Sequence, residues 1–490
     1  MNNAKNRYWF RRLVKMTGIA GLAVIALGLA AAAGCTKTNA PVENNMVKLA
    51  RLDCRSPFVF VTDSCQTADA AADAEAFVSA VENYLNAKIT RVSGSEPDKF
   101  GKYIFAFGSY DVPECASLMN SLQKNEYAIK VFQGNGELEK PEIIVAVAFN
   151  GGLARRAAIS TLLYQCNMGI DVYDGSLSIP LNSDYKASVS ADDLITTTDV
   201  SLRDPCILPD DGVYYMYGTG WKYFINNSRE LDGPWEGPHP CVSEKPADSD
   251  SQYWAPEVHK YGDAYYMFTT YHKIDNDHRG CVIYRSETPE GPFEMWSDGH
   301  VTPSDWDCID GTLYVDRSGQ PWMVFVHEWT GTADNIGRMS IAKLSPDLKK
   351  LITEPKDIFM ATDTTWATGT ITDGPWLYTT KGGDLLMIWS NFDEAGYAVG
   401  IAKSSNGKID GKWTQLDYQL YSNKFADSYD GGHGMIFCGI NGGLFLSIHS
   451  PNGKTGERET LAVTVPLQEF GNMLFWDFGL VMNLRAADPG

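Results

Sequence analysis

The sequence predicts a multidomain protein in which a smaller α/β domain precedes an all-β, five-bladed β-propeller. Three observations support this prediction: the composition changes near Ser188, strands alternate with helices before that point, and a Gly-aromatic segment recurs five times after it. With 490 residues, 44% of them hydrophobic, the chain is long enough for two domains and a leader segment. We therefore place the α/β domain at residues 47–187 and the propeller at residues 188–490.

Residues 1–34 have the pattern of an export signal. A basic start precedes an uncharged apolar run at 19–33, about fifteen residues, which is shorter than the roughly 20 that span a bilayer. The run ends at Gly34-Cys35 and resembles a bacterial lipobox, with Ala32 where Leu is usual. The resemblance implies an exported lipoprotein at the outer membrane, at the cell surface or in the periplasm. Lipidated Cys35 would be its only membrane contact, and residues 35–46 a tether.

An uncleaved anchor and a plain secretory signal are the alternatives, and either would still export the protein.

The α/β domain is predicted from alternating periodicities. Strand patterns lie at 58–62, 103–107 and 143–148, and helical patterns lie at 68–85 and 153–166. This order loosely resembles the non-catalytic α/β domains that precede the catalytic domains of some hexosaminidases and glucuronidases. The resemblance implies a spacer or binding role.

The propeller is predicted from a segment in which a Gly turn opens a strand rich in aromatic and β-branched residues. The strand starts are about 50 to 65 residues apart, which suits a four-stranded blade. A second element, at 231–235, 289–293 and 409–413, keeps the same phase, which generic hairpins would not do. The five predicted strands begin at Tyr214, Tyr265, Pro321, Leu385 and Leu444.

Three carboxylates lie beside the repeated strands: Asp204, Asp310 and Asp373. A single Asp next to Gly or Pro more often forms a turn than performs catalysis. A propeller, however, brings one strand of every blade to a central funnel, so residues placed in phase converge there. We therefore predict one site that contains all three carboxylates.

Five short motifs contain or accompany these carboxylates, one for each predicted blade. They are Arg203-Asp204-Pro205, Trp254-Ala255-Pro256-Glu257, Ile309-Asp310, Asp373-Gly374-Pro375 and Gly431-Gly432-His433-Gly434.

In this order the motifs resemble those of glycoside hydrolase family 43. The resemblance implies that Asp204 is a general base, that Asp310 orients and tunes the acid, and that Asp373 is the general acid. The chain departs from the family at Asp373, where Glu is usual. If the shorter side chain is not competent, Glu257 and Glu328 are the alternative acids.

The resemblance implies an inverting glycosidase on plant-type polysaccharide, most simply an α-L-arabinofuranosidase or a β-xylosidase. Inversion needs one carboxylate to activate water and one protonated carboxyl group for the leaving oxygen, and a third carboxylate can raise the pKa of the acid. The alternative is a non-catalytic, glycan-binding surface lipoprotein that has lost turnover through the change at Asp373.

A carbohydrate partner calls for aromatic and polar contacts. The net charge of −20 argues against nucleic acid as a partner. No cofactor is required, although His433 could hold an ion or a water on the propeller axis. Most tryptophans of a propeller pack between blades, and Trp254 is the strongest candidate for a contact with sugar. The predicted substrate-binding residues are Trp221, Trp254, Glu257, Glu328, Trp329, Trp376 and His433.

Overall fold

The computed structural model describes residues 42–43, 45–51, 55–62, 67–93, 101–134, 141–168, 176–456 and 458–479. The predicted export signal and Cys35 lie outside these residues, so export and lipidation stay predictions. In the part of the chain that is described, no helix combines the length and the apolar character that a membrane span needs.

The first domain has the predicted α/β architecture. A six-stranded sheet has the order β4-β3-β5-β7-β6-β9, and a smaller sheet has the order β1-β2-β8. The elements are β1 (Val42–Glu43), β2 (Met46–Arg51), β3 (Arg55–Thr62), α1 (Ala68–Leu85), β4 (Lys88–Ser93), β5 (Tyr103–Phe107), α2 (Pro113–Ser121), β6 (Glu126–Gln133), β7 (Ile143–Phe149), α3 (Gly152–Met168), β8 (Ser176–Pro180) and β9 (Asp184–Ser188).

Parallel pairing explains the sequence of the central strands. Strands β3, β5 and β7 pair in parallel, and β7 is buried along its whole length, so it consists of a continuous apolar run. Small alanines on α1 let this helix pack closely on the sheet, where Phe77 stacks on Phe105 with ring centroids 5.9 Å apart. Asn86 ends α1 in the left-handed conformation that commonly ends a helix.

The second domain is the predicted five-bladed propeller. Blade 1 contains β11 (Cys206–Asp210), β12 (Val213–Gly218), β13 (Lys222–Asn226) and β14 (Glu236–Pro240), and blade 2 contains β15 (Ser249–Tyr261), β16 (Ala264–Lys273), β17 (His278–Ser286) and β18 (Glu294–Met295). Blade 3 contains β19 (Cys308–Val315), β20 (Pro321–His327), β21 (Arg338–Lys343) and β22 (Lys356–Met360), and blade 4 contains β23 (Asp373–Thr379), β24 (Leu385–Asp393), β25 (Gly396–Ser404) and β26 (Trp413–Gln415).

Blade 5 is built from both ends of the propeller. It contains β27 (Gly432–Cys438), β28 (Leu444–Ser450) and β29 (Leu461–Phe470), and the outer edge of β29 pairs with β10 (Thr196–Thr197) and with β30 (Met473–Trp476). Strand β10 precedes blade 1 in the chain, so its pairing with β29 closes the ring. Short helices lie at α4 (Asn423–Ala426) and at the 3-10 turns Ala191–Asp193, Trp329–Gly331 and Ala361–Asp363.

The five repeated segments found in the sequence are the second strands of their blades, β12, β16, β20, β24 and β28. The innermost strand of each blade contains the same irregularity, which we call the funnel bulge. Three residue steps on that strand oppose two on its partner, as where Ile309 pairs with Val326 but Thr312 with Val324. The funnel bulges are residues 203–206, 254–257, 309–312, 373–376 and 432–435.

The two domains share one hydrophobic core, because α1 and α3 pack on blades 4 and 5. At its centre is Arg156 of α3, whose guanidinium lies 3.8 Å from the ring centre of Phe425 and 4.3 Å from that of Tyr418. The same group donates to the backbone oxygen of Gln419 at 2.7 Å and to Asp73 at 2.8 Å. The α/β domain thereby holds the connection between blades 4 and 5.

We predict that Arg156→Ala lowers the free energy of unfolding by about 3 kcal/mol. The substitution removes the buried cation that pairs with Asp73, and it leaves a cavity between the rings of Tyr418, Phe425 and Trp476. Denaturant unfolding followed by tryptophan fluorescence measures this loss. Lys102→Ala, which breaks an exposed ion pair with Glu142, is the control and should leave the unfolding midpoint unchanged. Equal effects of the two substitutions would contradict a structural role for Arg156.

Candidate active site

The funnel bulges bring the predicted carboxylates together at the mouth of the funnel. The second residue of each bulge has a positive φ: Asp204 (57°), Ala255 (41°), Asp310 (55°), Gly374 (49°) and His433 (46°). Only one of the five is a glycine, so four side chains are held in a conformation that costs free energy. Asp373 occupies the first position of the bulge in blade 4, next to blade 3, which contains Asp310.

Asp204 is held by hydrogen bonds from blades 1 and 5. The hydroxyl of Thr219 donates to its Oδ2, and its own backbone N–H donates to Nδ1 of His449 at 3.2 Å. Burial opposes its charge, but the positive charge of His433 and the His449 ring outweigh that effect and lower the pKa of Asp204. Asp204 is therefore ionised at neutral pH.

His433 is the cation between the carboxylates. Its Nδ1 lies 3.4 Å from Oδ1 of Asp204 and 3.7 Å from Oδ2 of Asp310. Burial disfavours its charge, but Asp310 and Asp204 prevail and raise the pKa of His433 to about 9. The backbone N–H of His433 donates to the Ser390 hydroxyl at 2.8 Å, which fixes the bulge that carries the ring.

Asp310 is buried and Asp373 is half-buried, and both have a raised pKa. Burial is the main cause for each, and the negative charge of Asp310 adds to it for Asp373. Oδ2 of Asp310 accepts from the backbone N–H of Gly374 at 3.1 Å, so Asp310 contacts the residue that follows Asp373. With one imidazolium for three carboxylates, the cluster retains a proton near neutral pH, and Asp373 is its preferred holder.

Glu257 and Glu328, the alternative acids, have different surroundings. Glu257 is buried next to His259, with its Oε2 at 3.4 Å from Nε2 of that ring, and is close enough to His433 to raise the pKa of that residue. Glu328 accepts a hydrogen bond from Nε of Arg279. Arg279 thus balances the charge of Glu328, although burial still raises the pKa of that carboxyl group, and the identity of the acid stays a prediction.

The four predicted tryptophans differ in exposure. Trp221 is 1% exposed and packs edge-on against Tyr253 and Tyr284, so its ring offers no face to a ligand. Trp376 is half-buried and stacks on His259 with ring centroids 5.2 Å apart. Trp254 and Trp329 are half-buried at the funnel end of blades 2 and 3, so they are the rings available to a sugar.

Sequence reasoning missed three residues that contact the carboxylates. Thr219 and His449 contact Asp204, and Tyr397 contacts Asp373. They lie on second or third strands or the turns after them, outside the motifs, and no local pattern marks them. Among the described residues, no group of three or more His, Cys, Asp or Glu side chains is arranged to hold a metal ion. The ion or water expected at His433 stays a prediction.

The fold and the site define a five-bladed propeller with a buried, proton-retaining carboxylate cluster at the funnel mouth. The chain belongs to glycosyl hydrolases family 43, whose model matches residues 196–471. This confirms the resemblance on which the roles of the three carboxylates were predicted.

Similar proteins include the endo-arabinase of Bacteroides thetaiotaomicron VPI-5482. Its crystal structure is 33% identical, covers 56% of this chain and 97% of that chain, and has a TM-score of 0.50. A probable arabinan endo-1,5-alpha-L-arabinosidase B of Aspergillus fumigatus is 28% identical over 27% of this chain and 40% of its own length. An extracellular exo-alpha-(1->5)-L-arabinofuranosidase of Cellvibrio japonicus is 22% identical over 31% and 46%. The match thus spans less than half the length of these two curated relatives.

We predict that Gly374→Ala destabilises the site beyond the strain of its backbone. A Cβ at Gly374 would lie 2.7 Å from Cδ2 of His433, whereas at Gly262, which also has positive φ, it would meet nothing within 4 Å. Gly262→Ala is therefore the control for left-handed strain and should cost about 1 kcal/mol. Gly374→Ala should cost about 1–3 kcal/mol more from overpacking. Equal unfolding free energies for the two variants would contradict the close contact.

Proposed function

We propose that the protein is an inverting glycosidase that hydrolyses α-L-arabinofuranosidic bonds of arabinan-type plant polysaccharide. The observation that carries the proposal is the opposite shift of two carboxyl pKa values in one cluster at the funnel, downward for Asp204 and upward for Asp373. Family membership and the 33% identity to an endo-arabinase support the choice of substrate. Export as a lipoprotein through Cys35 would bring the enzyme to substrates outside the cell.

In the proposed reaction, ionised Asp204 takes a proton from a water molecule whose oxygen attacks the anomeric carbon. The bond from that carbon to the glycosidic oxygen breaks, and Asp373 delivers its proton to this oxygen. Asp310 keeps the proton on Asp373 before reaction, since its negative charge disfavours a second one beside it. His433 keeps Asp204 ionised. One displacement from the opposite side inverts the configuration.

The substrate is expected to stack on Trp254 and Trp329, the partly exposed rings at the funnel end. Their apolar faces suit the faces of sugar rings. This contact would also be retained by a glycan-binding protein without turnover, so a binding measurement alone does not test the proposal. The test is whether the protein hydrolyses arabinan.

We predict that Asp204→Asn lowers kcat on arabinan by at least about 10²–10⁴-fold, because the amide cannot accept the proton of water. Release of reducing sugar measures this, and isothermal titration with arabino-oligosaccharide should show binding within a few-fold of the wild type. Asp263→Asn, an exposed residue in the turn between β15 and β16, is the control. A wild type that binds arabinan but releases no sugar would instead indicate the non-catalytic alternative.

We predict that kcat/KM falls as pH rises through the pKa of Asp373, which burial and the charge of Asp310 raise to about 7. Above that pH the acid has lost the proton that it must donate. Below it activity persists over a broad range, because the lowered pKa of Asp204 keeps the base ionised. Asp310→Asn removes a negative charge, lowers the pKa of Asp373, and should move the alkaline limb to lower pH. A shift to higher pH would contradict this role of Asp310.

A further inference from the structure

We propose that Tyr397 is a positioning residue of the acid: its hydroxyl holds Oδ2 of Asp373 and so leaves the transferable proton on Oδ1. The inference rests on the proposed function. It explains how the site works with an acid one methylene shorter than the Glu usual in the family.

The contact is direct, and its tyrosine is buried. Tyr397 lies on β25, the third strand of blade 4, and its hydroxyl donates to Oδ2 of Asp373 at 2.8 Å. Its ring is 2% exposed and lies against Phe392 and His449, with ring centroids 5.2 and 5.6 Å apart. Its backbone N–H donates to Asp430 at 3.0 Å. Ring and backbone are thus held independently of Asp373.

Two glycines make room for this arrangement. A Cβ at Gly432 would lie 2.7 Å from Cε1 of the Tyr397 ring, and a Cβ at Gly396 would lie 2.6 Å from Cβ of Asp430. Gly396 also has a φ of +122°, a conformation that other residues rarely adopt. Close packing therefore fixes the Tyr397 side chain in the orientation that brings its hydroxyl to Asp373.

The chemistry of the contact follows from the direction of the hydrogen bond. Burial and the charge of Asp373 raise the pKa of Tyr397 well above its ordinary value, so the hydroxyl keeps its proton and donates it. No other acceptor for this proton is found among the described residues. An oxygen that accepts this bond is a poor place for the acidic proton of the carboxyl group, which therefore resides on Oδ1.

The same contact accounts for the short side chain. A Glu at position 373 that extended in the same direction would advance the carboxyl group by about 1.5 Å. It would then crowd the Tyr397 hydroxyl, which lies at hydrogen-bond distance from the shorter acid. Tyr397 and the length of the acid should therefore be energetically coupled.

A double-mutant cycle tests this coupling on the full chain. Tyr397→Phe should lower kcat on arabinan by about 10- to 10²-fold, and Asp373→Glu by about 10²-fold. The double variant should lose much less than the product of the two, because the phenylalanine vacates the space that the extra methylene needs. Tyr127→Phe is the matched control. This buried tyrosine lies in the α/β domain, where its hydroxyl is hydrogen-bonded to that of Thr161 at 2.7 Å, and its loss should leave kcat unchanged.

Two further measurements separate positioning from a structural effect. Tyr397→Phe removes a donor to the ionised form of Asp373, so the alkaline limb of its pH profile should move to higher pH. Its loss of kcat should also be smaller on an aryl arabino-oligosaccharide, whose leaving group needs little protonation.

The outcomes distinguish the two proposals. A wild type that cleaves neither arabinan nor the aryl substrate overturns the proposed function and this inference with it. An active wild type with Tyr397→Phe within twofold of it on both substrates overturns the inference alone. Strictly additive losses of kcat in the double-mutant cycle also overturn the inference. So do equal losses of kcat on both substrates together with an alkaline limb that does not move.

Discussion

The funnel bulge is the constraint on which the rest of the propeller depends. Each innermost strand gains one residue at its funnel end, held at positive φ, and this turn aims Asp204, Asp310 and His433 toward one another. In all five bulges that residue is followed by Pro or Gly. Glycine is needed at position 434, because a Cβ there would lie 1.6 Å from the backbone oxygen of Ser447 on the neighbouring strand. Four of the five turns hold a residue other than glycine at positive φ, which costs free energy that packed blades must offset.

Burying carboxylates around a single imidazolium makes them chemically unequal. Asp204 is ion-paired with His433, whose Nδ1 lies 3.4 Å from its Oδ1, so this carboxylate keeps its charge. Asp373 has no cation at contact distance among the described residues and receives only a neutral tyrosine hydroxyl. Two Asp side chains thus acquire opposite protonation from position alone, without any difference in residue type.

The sequence indicated the blade number and the three carboxylates because repeats and motifs are local patterns. It did not indicate Tyr397, Thr219 or His449, whose contacts with the acids arise only when strands of different blades are in place. Trp221 illustrates a second limit, since its buried position next to Tyr253 cannot be distinguished from an exposed one by spacing. Strand β10 was also missed, because two threonines carry no strand signal until β29 lies beside them. A Pro or Gly recurs at the same position of all five motifs, directly after the residue with positive φ. This pattern is the sequence feature that indicates the bulges.

The pairing of β10 with β29 has a consequence for the order of assembly. Thr196 pairs with Thr464, so more than half of the chain separates the two partners. A ribosome or a translocation channel delivers the first partner long before the second, and the ring stays open in the meantime with an unpaired edge on its last blade. Because the α/β domain packs on blades 4 and 5, the apolar surface that it buries against them stays exposed to solvent until those blades have folded. Chaperones that shield exposed edges should therefore matter most for this chain just before β29 emerges.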